Sequence, residues 1–177
     1  VLKINSFNRP FRWCAEKLAA PILMGNAVII KNSEQAPISS LKFCELLNGI
    51  FPDGLINVVT GGADTGSFLV KHPLIKRIAV ISSVQTGIAI AKDAAPLLKN
   101  ISLELGGKNP LIVFDDADID LAAKCVSNGI FRNMGQICVS GSRVYIQEKV
   151  FDTVMSDITN IAKSMKIGHG FEDNVAL

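Results

Sequence analysis

The sequence predicts an α/β protein built on a parallel sheet, because short β-branched runs alternate with amphipathic stretches of helical period along most of the chain. Glycine and proline punctuate the joins between them, as at Pro52-Asp-Gly54, Gly61-Gly62 and Pro73. The chain has 177 residues, 49% of them hydrophobic, which is enough apolar material for a real core and excludes intrinsic disorder.

In chain order, Ala27-Val-Ile-Ile30 reads as a strand, and Phe43, Leu46, Leu47 and Ile50 recur at helical spacing after it. Leu55 to Val59 is the next strand, followed by a short helix from Thr65 to Lys71. Arg77 to Ile81 is a buried strand, and Ser83 is placed to cap a helix running to about Ala94. Ile101 to Leu105 closes this βαβ series. The pattern then shifts, and a division of the chain is expected near Leu105 to Lys108. Beyond it, Leu111 to Phe114 forms a strand preceded by Pro110, and Asp115, Asp116, Asp118 and Asp120 favour the positive end of the following helix rather than a cation site. That helix presents Ile119, Ala122, Ala123, Val126 and Ile130 on one face. A polar, glycine-bearing stretch from Asn133 to Ser142 leads into a strand from Arg143 to Gln147, and Val150, Val154, Ile158, Ile161 and Met165 mark a closing amphipathic helix.

Charge and cysteine usage narrow the function classes. Eighteen Lys and Arg against 16 Asp and Glu leave a net charge of +2, which offers no electrostatic case for nucleic acid or an anionic membrane as partner. The longest apolar stretch, Leu18 to Ile30, is broken by Pro21, Gly25 and Asn26 and is shorter than the roughly 20 residues a membrane span requires. The first residues show no signal peptide, and the absence of an initiator Met points to a start that is a cut. Four scattered cysteines form neither a disulfide framework nor a C-x-x-C pair, so a cytoplasmic setting with reduced thiols and no metal is expected. Cys14, Cys44 and Cys125 lie in apolar helical patterns, where a buried thiol is the ordinary expectation.

Several strand ends carry residues suited to ligand binding in open α/β sheets. Lys31-Asn-Ser-Glu34 follows a strand directly, and its ammonium and carboxylate suit ribose hydroxyls, although spacing alone favours an ordinary solvated turn. Ser82-Ser-Val-Gln-Thr-Gly87 opens a helix and suits either a phosphate or a simple cap. Gly61 to Gly66 is glycine-rich without a G-x-G-x-x-G fingerprint, and Gly106-Gly-Lys108 is not a P-loop. Cys138 lies outside the strong apolar stripes, where an accessible thiolate stabilised by helix N–H groups becomes a nucleophile.

Leu103-Glu-Leu-Gly-Gly-Lys108 followed by Asn133-x-Gly-Gln-x-Cys138 resembles the glutamate and cysteine signatures of the aldehyde dehydrogenase superfamily. The resemblance extends along essentially the whole chain through Phe7-Asn8-x-Pro10, Gly25-Asn26, Lys31-x-x-Glu34, Phe51-Pro-x-Gly54, Gly62, Gly66 and Ser142-Arg143. It implies a Rossmann-like parallel cofactor-binding sheet in residues 1–105 and the beginning of an α/β catalytic domain in residues 106–177, both incomplete. It further implies oxidation of a small-molecule aldehyde to a carboxylic acid, with Cys138 as nucleophile, Asn8 as oxyanion donor and Glu104 as general base. NAD would be held by Lys31 and Glu34 at the adenine ribose, by Ser83 at the pyrophosphate, and by backbone approach at Gly62 and Gly66, with Leu105 beside the nicotinamide. Glu34 favours NAD over NADP, and Lys31 keeps NADP as a second candidate.

A complete family member is more than twice as long and forms homo-oligomers through segments outside this chain. The alternative reading is therefore a non-catalytic remnant or interaction subunit. Three positions depart from the family's pattern: Ser6 and Asn32 stand where it has proline, and Ser82 where it has glycine.

Overall fold

The computed structural model describes residues 1–16 and 18–177, and in its first unit, Val1–Leu105, five strands form one wholly parallel sheet. The strands are β1 (Leu2–Asn5), β2 (Val28–Asn32), β3 (Ile56–Val59), β4 (Arg77–Ile81) and β5 (Asn100–Glu104), in the spatial order β3-β2-β1-β4-β5. Register is continuous across the centre, with Ile4 opposite Lys31 on one side and Val80 on the other. The helices of this unit are α1 (Pro10–Ala15), α2 (Ala19–Leu23), α3 (Ile38–Leu46), α4 (Ala63–Lys71) and α5 (Val84–Ala94).

Side chains alternate across the sheet and build two cores. Leu2 and Ile4 of β1, with Ile78 and Val80 of β4, pack against Leu69 and Val70 of α4 and Ile90 and Ala94 of α5. Val28 and Ile30 of β2 face the other way, onto Cys14 of α1, Leu18, and Phe43 of α3.

The central strand, β1, and the two short helices after it are not among the elements the hydropathy pattern picks out. All four β1 residues are buried, Lys3 and Asn5 included. Such a strand is stable only because its polar groups find partners. The Lys3 ammonium donates to the carbonyls of Trp13, Cys14 and Glu16, and Asn5 Nδ2 donates to Asn32 Oδ1 at 2.9 Å. These partners lie 10 to 27 residues away, so no local pattern announces them. Further differences follow the same logic. β2 continues through Lys31 and Asn32, and α3 begins at Ile38 and ends at Leu46, so the expected stripe runs past the helix. Of that stripe only Phe43 is buried, while Leu46 and Ile50 are exposed.

The second unit, Gly106–Leu177, contains the parallel pair β6 (Pro110–Val113) and β7 (Arg143–Ile146), with α6 (Ile119–Phe131) between them and α7 (Glu148–Ser164) after them. Val113, Val126 and Val154 centre its core, with Leu111, Ile119, Ile146, Val150 and Ile158 packed around them. Asp118 caps α6 by accepting the Leu121 N–H at 3.0 Å, and Asp115 pairs with Lys149 at 3.1 Å. Among the helical cysteines Cys14 is buried and Cys125 is exposed, so the expectation of burial fails at Cys125. Among the described residues no helix is long and apolar enough to cross a membrane.

Candidate active site

Because every strand of the first sheet runs the same way, every strand delivers its following loop to one edge. β1 leads to Ser6 and Asn8, β2 carries Lys31 into the turn holding Glu34, and β3 leads to Gly62 and Gly66 at the start of α4. β4 leads to Ser82 and Ser83, and β5 ends at Glu104 followed by Leu105. The connections from β1 step outward through β2 to β3 and then return to β4 on the other side of β1. That reversal of strand order opens a crevice beyond the carboxyl ends, where α/β sheets bind ligands. The eight candidate catalytic and cofactor-binding residues in this half of the sequence, and Ser6 and Ser82 beside them, thus share one edge.

The Lys31 ammonium is buried and lies 3.6 Å from the Glu34 carboxylate, which is exposed. Glu34 is held below the usual carboxylate range, first by its own backbone N–H, with burial opposing the shift and the Lys31 charge and hydrogen bond adding to it. A fixed cation beside an ionised, outward-facing carboxylate is a donor–acceptor pair suited to vicinal hydroxyls. Ser83 is the N-cap of α5: its Oγ accepts the Thr86 N–H at 3.2 Å and shares a hydrogen bond with the Thr86 hydroxyl. Ser82 ties the end of β4 to β5, its N–H donating to the Glu104 carbonyl at 3.1 Å.

The glycines on this edge separate into two kinds. A Cβ at Gly62 or Gly66 would meet nothing within 4 Å, so the protein's own packing does not demand glycine there and the open space suits an approaching ligand. Gly61 has φ +146°, and a Cβ there would fall 2.2 Å from Thr65 Oγ1, which makes it the glycine the fold itself requires. Gly87 is of the same kind, since a Cβ would lie 2.7 Å from the Leu105 side chain. Its absence seats Leu105 directly on the α5 backbone. Neither role is visible from spacing, because in each case the crowding atom is a side chain positioned by the fold.

Asn8 follows β1 and is half-buried; its Oδ1 accepts from Ser6 Oγ at 2.7 Å and from Trp13 Nε1 at 3.0 Å. Glu104, the last residue of β5, is exposed. It shares with Ser102, Lys3, Asn5, Trp13 and Arg77 the lining of a cavity of about 430 Å³ on the α1 side of the sheet. Trp13 and Asn5 carry no functional signal in the sequence: Asn5 meets its partner Asn32 across 27 residues, and the bond from Trp13 to Asn8 forms only once α1 folds back beside the end of β1.

Cys138 belongs to the second unit. Asn133 and Met134 adopt left-handed backbone conformations with φ 54° and 56°, and Gly135 continues them at φ 70°. Left-handed geometry at two consecutive non-glycine residues is strained, by roughly 1 kcal/mol or more each. The chain then turns through Cys138, whose carbonyl accepts from Asn109 Nδ2 at 2.7 Å, while the same amide donates to the Ser140 carbonyl at 3.2 Å. A Cβ at Gly107 would sit 2.7 Å from the Cys138 carbonyl oxygen. The thiol is half-buried and unbridged.

The model of the aldehyde dehydrogenase family matches residues 1–177. An aldehyde dehydrogenase of Talaromyces stipitatus, tropH, is 42% identical over 164 residues, which cover 92% of this chain and 32% of that protein. The crystal structure of an NAD-dependent aldehyde dehydrogenase from Sinorhizobium meliloti superposes with a TM-score of 0.96 at 36% identity, over 99% of this chain and 35% of that one. An E. coli NADP-dependent enzyme gives a TM-score of 0.97 at 34% identity, over 100% of this chain and 37% of that one. The chain spans about a third of the length of the curated relatives it matches. Over the whole of its own length, and in both of its units, it belongs to the aldehyde dehydrogenase family.

Proposed function

We propose that the protein of which this chain is at least a part oxidises an aldehyde to a carboxylic acid with NAD, residues 1–105 serving the cofactor and residues 106–177 beginning the catalytic domain. The carrying observation is the single crevice edge on which a buried lysine, an ionised carboxylate, two open-faced glycines and a capped helix start converge, in a member of this family. This donor set fits a dinucleotide. Lys31 and Glu34 suit the adenine ribose, the Ser83 turn suits the pyrophosphate, the backbone at Gly62 and Gly66 admits close approach, and Leu105 offers an apolar wall for the nicotinamide. Glu34 stays ionised at neutral pH and repels a 2′-phosphate, which favours NAD; the Lys31 cation keeps NADP as a second cofactor.

Bound NAD supplies the acceptor for a hydride. The chain's own residues do the rest. The Cys138 thiolate attacks the aldehyde carbon, and the carbonyl oxygen becomes an alkoxide. The Asn8 NH2 group and the Cys138 backbone N–H donate to that oxygen, each donor contributing about 3 kcal/mol. Loss of hydride leaves a thioester on Cys138. Glu104 takes a proton from water, the hydroxide oxygen adds to the acyl carbon, and the carboxylic acid leaves as the Cys138 thiolate is restored. A base in this role favours water over coenzyme A as acyl acceptor. In this reading the protein works in the cytoplasm with reduced cysteines, as a homo-oligomer in its complete form.

The test is NADH formation by the purified protein with a panel of aldehydes, with Cys138→Ala as the control. Aldehyde-dependent NADH that disappears in the variant supports the reading, whereas unimpaired turnover in the variant removes Cys138 from it. Because the chain covers only about a third of its relatives, a remnant is the second reading. Aggregation without NAD binding and without turnover in every arm identifies it.

A further inference from the structure

We propose that Trp13, together with Ser6, is a positioning residue that fixes the Asn8 side-chain amide with its NH2 end as the donor. This rests on the reading of Asn8 as the oxyanion donor.

An asparagine amide rotates freely about a broad torsion, and its two ends have opposite polarity. Presented the wrong way round, it would turn a carbonyl oxygen toward a developing alkoxide and repel it. An indole N–H only donates, so the Asn8 atom 3.0 Å from Trp13 Nε1 is the oxygen. The Ser6 hydroxyl donates to the same oxygen at 2.7 Å. With two donors on the oxygen, turning the amide round would break both hydrogen bonds, and the NH2 group is thereby fixed as its other end.

The helix that carries the indole, α1, is itself held at both ends. The Lys3 ammonium caps the carboxyl end of α1, donating to the carbonyls of Trp13 at 2.9 Å, Cys14 at 3.3 Å and Glu16. At the other end of α1, Asn32 Nδ2 donates to the Pro10 carbonyl at 3.4 Å, and Asn5 fixes the Asn32 amide in turn. Lys3 and Asn5 both lie on β1, the strand that delivers Asn8, so strand, helix and side chain close one loop of contacts. Two of the three departures from the family's pattern, Ser6 and Asn32, fall within this loop. Proline at either position would supply neither the hydroxyl nor the amide used here.

The experiment compares Asn8→Ala, Trp13→Phe, Ser6→Ala and Ser6→Thr in the full chain, by steady-state kinetics and by the NMR signal of the single tryptophan indole N–H. Asn8→Ala is expected to lower kcat about 100-fold. Trp13→Phe, which keeps an aromatic ring but removes the donor, and Ser6→Ala are each expected to lower kcat roughly five- to tenfold with KM little changed. Ser6→Thr, which restores a hydroxyl, recovers most of the loss. In the wild type the indole proton is shifted downfield and exchanges slowly with solvent, and Asn8→Ala abolishes both properties. If Asn8→Ala leaves kcat unchanged, the oxyanion reading fails. If it lowers kcat while Trp13→Phe and Ser6→Ala match the wild type, that reading stands and the positioning role is overturned. An indole proton indifferent to Asn8→Ala overturns the arrangement with or without measurable turnover.

Discussion

The crevice edge of the first unit and the Cys138 turn of the second are held in opposite ways. On the edge, parallel strands end in register and set down Asn8, Lys31, Ser83 and Glu104 from extended backbone, so ordinary β-structure does the placing. The Cys138 turn follows two left-handed non-glycine residues and is fastened by the Asn109 side chain and by the close approach of Gly107. A sheet edge distributes its contacts over many residues, whereas the turn depends on a few. Substitution should therefore be felt as lost packing in the first unit and as lost geometry in the second.

The largest effect on stability is expected where α5 and the end of β5 leave no room for a side chain. Gly87→Val drives a side chain into Leu105 and should cost about 2–3 kcal/mol in denaturant unfolding. Leu105→Ala in the same chain should return part of it, and strict additivity of the two losses would break the packing account. In the second unit, Asn109→Ala removes two hydrogen bonds to carbonyls around Cys138 and should cost about 1–2 kcal/mol. It should also change the alkylation rate of Cys138 while leaving that of exposed Cys125 unaltered, as peptide mass spectrometry would show. The smallest effect has the opposite sign. Met134 is exposed and left-handed, so Met134→Gly should stabilise by up to about 1 kcal/mol, and a loss of stability would show that the turn is not strained.

The same contrast decides what could be read from the sequence. Caps and stripes are local, so Ser83 before α5, Asp118 before α6 and the apolar face of α7 were all legible. The strand ends carrying Lys31 and Glu34, and the segment around Cys138, were legible as motifs of a family. β1 was not, because Lys3 and Asn5 break its apolar run and find partners on segments 10 to 27 residues away. Gly61, Gly87 and Gly107 were equally silent, since what excludes a side chain at each is an atom that arrives only on folding. Trp13 carried no signal beyond its rarity, and its meaning lies in the Asn8 oxygen it meets. The third departure, Ser82, stands at the end of β4, where its backbone N–H donates to the Glu104 carbonyl of β5.

Central to the account is the assignment of the sheet's carboxyl edge as a dinucleotide site. Calorimetric titration of the chain with NAD tests it most directly. One saturable site is expected, weakened by Glu34→Gln. Glu34 titrates below the ordinary glutamate value of 4.5, so affinity carried by its charge should be level from neutrality down to that pH and fall only below it. Absence of saturable binding by folded protein, or binding indifferent to Glu34→Gln, would contradict the assignment.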